Sequence, residues 1–322
     1  MNSLYLENSI IGSLFRFFSP YFSAATRPMQ FLLTWLVIAQ LALQSFPPLR
    51  FLHRNFLSQV THHCLNSYYR ALRNETVTSR SLRLQTAQLA CSLIPSVLQN
   101  EPVFLSVDDT TVPKFGKKFD AVSVLHDHVC HSGKPYVNGH CFVSLTLSVP
   151  VLSHQEGKAP LIRYLAVPVG YRMWSKERTK LELAGNFIEK VMPLLKDRQV
   201  LLFFDSWYAK SSLIERVLQY LHLAIIYNVR SDSAMYELPP LPSGKPGRPK
   251  KRAQFFFSTL DPSALHMSCA WQKRKILRDA PAEGMDYYPL KLYKLRWAIE
   301  TNYYEQKTFW SLRPKPQKIQ RT

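Results

Sequence analysis

One stretch near the end of the chain constrains it most: Tyr293-Lys-Leu-Arg296-Trp-Ala-Ile-Glu300-Thr-Asn-Tyr-Tyr-Glu-Gln-Lys307. Its spacing is tyrosine, two residues, arginine, three, glutamate, six, lysine. Wound as an α-helix at about 100° per residue, Tyr293 lies at 0°, Arg296 near −60°, Glu300 near −20° and Lys307 near −40° (rough values). All four share one narrow stripe. Leu292, Leu295 and Ile299 gather about a third of a turn away, which predicts an apolar stripe packed on a sheet. One acid flanked by an aromatic and two cations suits a metal-and-phosphate site: the carboxylate holds a hard cation, while arginine and lysine contact phosphates. A surface helix with a Glu–Lys ladder would use the same residues.

Charge narrows the choice of partner. The 322 residues carry 41 Lys plus Arg against 22 acids, a formal +19. That surplus favours a polyanion, nucleic acid first and a membrane surface second. A hydrophobic content of 46% suits a packed core. Five scattered cysteines, an odd number with no C-x-x-C pair, fit a reducing cytosol rather than a disulfide framework. The uncharged stretch between Arg27 and Arg50 is broken by Gln30, Thr34, Gln40 and Gln44 and bounded by prolines. It reads as a buried helix, neither a membrane span nor a signal peptide.

Two apolar runs end in acids. Val103-Phe-Leu-Ser-Val is a buried strand that leads into Asp108-Asp109-Thr-Thr. Val200-Leu-Leu-Phe-Phe lacks alternation, as a strand covered on both faces does, and leads into Asp205 and then a helix over 209–221. Acids at strand ends sit at the sheet rim, where α/β sites form; turn or cap roles are the plainer alternative. Strands 141–149 and 164–169 are predicted to pair antiparallel, followed by a helix over 179–195. Around Gly116, Lys114 and Lys117 form a basic loop. A second, Pro- and Gly-rich, holds Arg248 and Lys250, and its Gly-Arg-Pro core suits either general phosphate contact or a narrow minor groove. The His and Cys residues of 126–141 match no standard zinc spacing; His140, leading into a strand, is a candidate to approach the site. Residues 1–100 read as all-helical, with eight arginines, no lysine and only Glu7 and Glu75 as acids. Thr76, Thr78 and Ser79 offer caps for a helix from residue 80, with Leu82, Leu89 and Leu93 inward.

The complete Y-x2-R-x3-E-x6-K pattern resembles the signature of bacterial insertion-sequence transposases of the family numbered four, which are DDE enzymes with an RNase H-like catalytic domain. The motif-level match covers about 103–312. The resemblance implies an α/β fold: an RNase H-like mixed sheet flanked by helices, with an N-terminal all-α domain over 1–100 that binds the DNA ends. The catalytic domain would span 101–322, with a β-containing insertion at about 231–288 before the last catalytic helix. Asp108, Asp205 and Glu300 would be the catalytic acids and metal ligands, with Asp109 the alternative to Asp108. The gaps of 97 and 95 residues between the three leave room for the insertion. Tyr293, Arg296 and Lys307 would grip phosphates beside the scissile bond, and losing Arg296 or Lys307 should weaken DNA binding and its salt dependence.

The implied reaction is cut-and-paste DNA transposition using two Mg²⁺ (or Mn²⁺) ions, by hydrolysis and strand transfer. The partners would be the element's terminal inverted repeats, target DNA and a second copy of the chain, in the bacterial cytoplasm at the nucleoid. Past Trp310 the family's apolar helix does not continue; prolines and cations follow, as in a shortened copy. A catalytically inactive, DNA-binding copy and a metal-dependent nuclease without transposition are the two other readings.

Overall fold

The computed structural model describes residues 9–43, 48–114, 120–126, 135–154, 159–228 and 293–308, and four short strands between 235 and 276. The chain begins with helices. Helix α1 (Ile10–Phe18) is capped by Ser9, whose side chain accepts from the Gly12 amide at 3.0 Å. Helix α2 (Arg27–Leu43) is the uncharged stretch, and it is a core helix. Leu32, Trp35, Leu36 and Ile38 pack with Leu52, Leu57 and Tyr68, the last from α3 (Leu65–Leu72). Among the described residues no helix is long and apolar enough to cross a membrane.

Helix α4 (Ser79–Ser92) starts at Thr78, which forms a reciprocal capping box with Ser81. Its inward residues differ from expectation. Ala87 and Ala90 are buried, whereas Leu93 is 44% exposed. The helix lies against the sheet, and small side chains let its backbone approach closely. Leu82 points the other way, into the helical core. Thus α4 joins two cores, one within residues 22–71 and one from Ala87 onward.

The sheet is mixed. Strands β1 (Val103–Pro113), β2 (Ser123–His126), β3 (Tyr136–Ser153), β4 (Leu161–Met173), β5 (Val200–Phe204) and β6 (Leu223–Tyr227) are joined by β9 (Ala270–Gln272) and β10 (Lys275–Ile276). The order is β10–β9–β6–β5–β1–β3–β2, with β4 also paired to β3. β1, β5 and β6 are parallel; β3 and β4 form the expected antiparallel pair. β7 (Met235–Tyr236) and β8 (Phe255–Phe257) make a separate two-stranded ribbon. Of the region 231–288, therefore, β9 and β10 extend the main sheet from β6.

Helices cover the sheet: α4, α5 (Lys180–Val191) and α6 (Ser211–Val217) on one side, and α7 (Trp297–Thr308) against β1 and β4. Thr179 caps α5 in a box with Glu182. The mixed sheet flanked by helices is the RNase H-like architecture, with parallel β5 and β6 and then antiparallel β9 and β10 on one side of β1, and antiparallel strands on the other.

The odd positions of β1 (Val103, Leu105, Val107) enter the core with Leu183, Phe187 and Ile188 of α5. The even positions face the other way, where Phe104 meets Phe203 at 5.4 Å between ring centroids and Phe203 meets Tyr293 at 6.2 Å. β1 does not end at its acids, as the apolar run suggested; it continues to Pro113, paired with β3. What ends at that level is the parallel neighbour β5. Gly139 is where β3 crosses the end of β1: a Cβ there would lie 2.5 Å from the Val112 carbonyl oxygen.

Candidate active site

The three acids reach one region from three elements. Ser106 pairs with Phe203, so two residues on, the same register sets Asp108 beside Asp205, just past the end of β5. Glu300 comes from α7, which packs on β1 and β4 through Ile299 and Tyr303. The buried stripe of this helix is Arg296, Ile299 and Tyr303, with Trp297 and Tyr304 exposed. Ile299 was expected inward; Leu292 lies outside the described residues. A short 3₁₀ turn over Lys294–Arg296 begins the helix.

Arg296 is the centre of the arrangement. One guanidinium nitrogen donates to Asp108 Oδ2 at 2.9 Å and another to Glu300 Oε1 at 2.7 Å. It lies over the rings of Tyr293 and Trp297. Its Nε is buried with no acceptor among the described residues. The arginine expected on an open phosphate-gripping stripe is thus largely buried and bridges two of the acids.

Asp108 accepts a second hydrogen bond from the Asp109 amide at 2.8 Å. Burial pushes its carboxyl up to about 7; Arg296 pulls against that, while the charges of Asp109 and Asp205 add to it. Asp205 accepts from the amides of Trp207 and Tyr208 at 2.9 and 3.3 Å, so one carboxylate oxygen holds the turn after β5. The helix that follows is shorter than expected, starting at Ser211.

Asp109 faces the other side of the sheet, since neighbours on a strand alternate. Lys180 donates to it at 2.7 Å, the Tyr208 hydroxyl at 3.0 Å and the Cys141 thiol at 3.3 Å. With its oxygens taken from within, Asp109 ties β1 to α5 and to the turn behind Asp205. Burial first, and then the Asp109 charge, push the Cys141 thiol up to about 12, so it is no nucleophile. Lys180, Tyr208, Ser144 and Tyr303 went unrecognised from sequence. The Tyr303 hydroxyl hydrogen-bonds Ser144, which donates to the Asp108 carbonyl at 3.4 Å. Only the stripe of Arg296, Ile299 and Tyr303 at helical spacing hinted at any of these.

The other expected contacts are more scattered. The Tyr293 hydroxyl donates to the Phe204 carbonyl at 3.3 Å, fastening the start of the last helix to the end of β5. Lys307 lies over the Tyr303 ring at 5.8 Å. Lys114 follows β1 and is about 20 Å along the chain from Asp108, at about 3.3 Å per residue. His140 faces the Asp120 carbonyl at 2.9 Å. Lys117, Arg248, Lys250, His128, Cys130 and His131 lie outside the described residues.

The donors suit a hard divalent ion in kind: three carboxylates offer only oxygen, and a buried Asp108 raised to about 7 marks a place short of positive charge. In arrangement Asp108 and Glu300 are drawn to Arg296 while Asp205 holds the turn after β5, and among the described residues no three metal-binding side chains converge on one point.

An RNase H-like mixed sheet thus sets Asp108 and Asp205 side by side where its parallel strand β5 ends. The chain belongs to the DDE superfamily of endonucleases, whose family model matches residues 57–280, more than half of its length. Asp108 and Asp205 fall within that span and Glu300 beyond it. No curated protein and no solved structure matches the chain. The protein is therefore a nuclease of the transposase type acting on DNA, and nucleases of this superfamily generally use divalent metal ions.

Proposed function

We propose that the chain is a transposase that excises and inserts an insertion sequence by cut-and-paste, with Asp108, Asp205 and Glu300 as its catalytic acids. The observation that carries this is the convergence of Asp108, from β1, with Asp205 in register beside it and Glu300 tied to it through Arg296. Asp108 rather than Asp109 is the first acid, because Asp109 is engaged from within on the opposite face.

Asp108 and Asp205 would hold a divalent ion, Mg²⁺ or Mn²⁺, with Glu300 joining them as Arg296 yields its grip. Such ions supply an activated water or 3′-hydroxyl and stabilise the leaving oxygen of an in-line displacement. The protein's own part is to aim the acids and hold the strand. The Arg296 Nε, without an acceptor among the described residues, is a donor suited to a phosphate oxygen once Arg296 shifts. Tyr293 sets the helix against β5, and Lys307 lies one turn past Tyr303 on the same helix. The arginine-bearing helices of residues 1–100 would bind the element's ends. Pairing of two ends calls for a homodimer working at the nucleoid; the resemblance alone supports this.

The test is strand cleavage and transfer with Mg²⁺ on DNA carrying the element's own terminal repeats. Asp205→Ala and Glu300→Ala should each abolish cutting and leave DNA binding intact. Either variant cutting as well as the parent would overturn the assignment. Cutting without joining would reduce the protein to a nuclease, and binding without cutting to an inactive copy.

A further inference from the structure

A second concentration of positive charge lies where α4, the end of β4 and the start of α5 meet. An open cavity of about 370 Å³ there is lined by Arg83, Arg172 and Arg178, together with Ser79, Ser175 and Tyr171; Glu177 is the acid among its lining residues. Arg83 and Arg172 both set their guanidinium carbons over the Phe187 ring, at 5.4 and 5.5 Å from its centroid. Arg83 reaches this position because β4 has glycine beneath it: a Cβ on Gly170 would stand 2.5 Å from the Arg83 Cγ and Cδ. The Ser79 hydroxyl accepts from Arg83 at 3.1 Å.

Like charges gather here, with Glu177 the one acid among the lining residues. Among the described residues no carboxylate forms an ion pair with Arg80, Arg83, Arg172, Arg178 or Lys190. Burial, and then the charges of Arg172, Arg80, Arg83 and Arg178, hold the Lys190 ammonium below its ordinary value. Two helices also open at this point: Ser79 is the first residue of α4, and Arg178 precedes the Thr179 cap of α5. Their positive ends add to the field. Packed arginines that repel one another and aim at an open cavity are arranged for an anion supplied from outside.

One lining residue, Tyr171, connects the cavity to the acids across the sheet. Asp108 pairs with Ser144, and Ser144 with Tyr171. Tyr171 thus stands two strands, about 10 Å, from Asp108 on the same face, whereas its neighbour Arg172, in line with Val143 and Asp109, points with Arg83 to the α5 face, so the cavity's arginines lie around the β4 edge of the sheet from the acids. The Tyr171 ring lies 6.2 Å from that of Tyr303 on α7. At about 3.4 Å per base step, that separation is about three base steps of duplex.

We propose that this cavity is a second DNA contact, taking backbone phosphates of the duplex that flanks the bond to be cut. The proposal rests on the DNA-cutting reading above and adds where the flanking duplex lies.

The experiment uses the full chain, a fluorescently labelled duplex bearing the terminal repeats, and EDTA to prevent cutting; binding is followed by anisotropy over a salt series. The test variants are Arg172→Gln/Arg178→Gln and, as the milder change on an exposed side chain, Arg178→Gln alone. The control is Arg163→Gln/Lys196→Gln, which removes as much charge from exposed cations at the far end of β4 and just past α5. At about 0.9 per phosphate contact, the test pair should lower the slope of log K against log salt by about 1.8. Affinity at about 0.15 M salt should then fall about thirtyfold, with Arg178→Gln alone showing about half the slope change. The control pair should lose less than half as much slope as the test pair. Equal losses in test and control pairs would mean net charge alone, and an unchanged slope would mean no contact; either overturns the proposal. If the parent cuts DNA and the slopes do not differ, only the cavity proposal falls. If the slopes differ but the parent never cuts, the catalytic reading falls and the cavity stands. A parent that binds no DNA removes both.

Discussion

Asp108 offers the sharpest physical test, because its ionisation opposes folding. Its carboxyl rises from an ordinary 3.8 to about 7, chiefly through burial. At about 1.4 kcal/mol per pH unit, that difference corresponds to about 4 kcal/mol. The sign follows from linkage. A carboxyl whose folded-state pKa is raised contributes stability that is fully present below the unfolded value, and loses it as pH climbs through the folded value. In EDTA the protein should therefore lose up to about 4 kcal/mol between pH near 4 and pH near 7 on this account, with no further loss above. Asp108→Asn removes the titration and keeps an oxygen to accept from Arg296. Denaturant unfolding in EDTA, repeated from pH 5 to pH 9, should show the variant gaining on the parent as pH rises and clearly more stable at pH 8. Adding Mg²⁺ or Mn²⁺ at about a hundred times the dissociation constant should stabilise the parent by about 2.7 kcal/mol and the variant far less. A variant less stable than the parent at pH 8, or a difference that does not change with pH, would refute the reasoning.

Other outcomes follow from the same geometry. Arg296→Ala leaves Asp108 and Glu300 without their shared cation and should cost about 3–5 kcal/mol in EDTA by chemical denaturation, with divalent ion restoring part of it. Lys180→Met strips the partly buried Asp109 of its ammonium partner; a loss of about 1–3 kcal/mol by thermal melting is expected, and no loss would mean the Asp109 cluster is solvated. Asp205→Ala, besides ending catalysis, uncaps the turn after β5 and should lower stability by about 1 kcal/mol in EDTA. Gly139→Ala sets a methyl against the Val112 carbonyl and should destabilise the fold measurably by thermal melting, because backbone, not a flexible side chain, stands in the way.

Much of this protein is written locally. Apolar runs without alternation became β1 and β5, because successive apolar positions with no polar face require a strand covered on both faces. Capping residues before α4 and α5 set where those helices start, since a threonine hydroxyl facing a free amide is a short-range matter. The spacing within Tyr293–Lys307 announced a helix and a rough set of faces. The sequence by itself thus determined the elements, the basic character of the chain and the types of side chain at the site.

The partners were decided only by the tertiary structure. Alternation along β1 says that Asp108 and Asp109 point to opposite faces, but not which face receives α5 with Lys180 and which receives Arg296. That depends on sheet order and on how a helix almost two hundred residues away is laid across β1. The same holds for Arg296, whose place on a helical stripe cannot reveal that it bridges Asp108 and Glu300. Hydrogen bonds and ion pairs act over a few ångströms in space, whereas sequence patterns report only neighbours along the chain. The contacts that arrange this site therefore became legible once the sheet had brought its strands together.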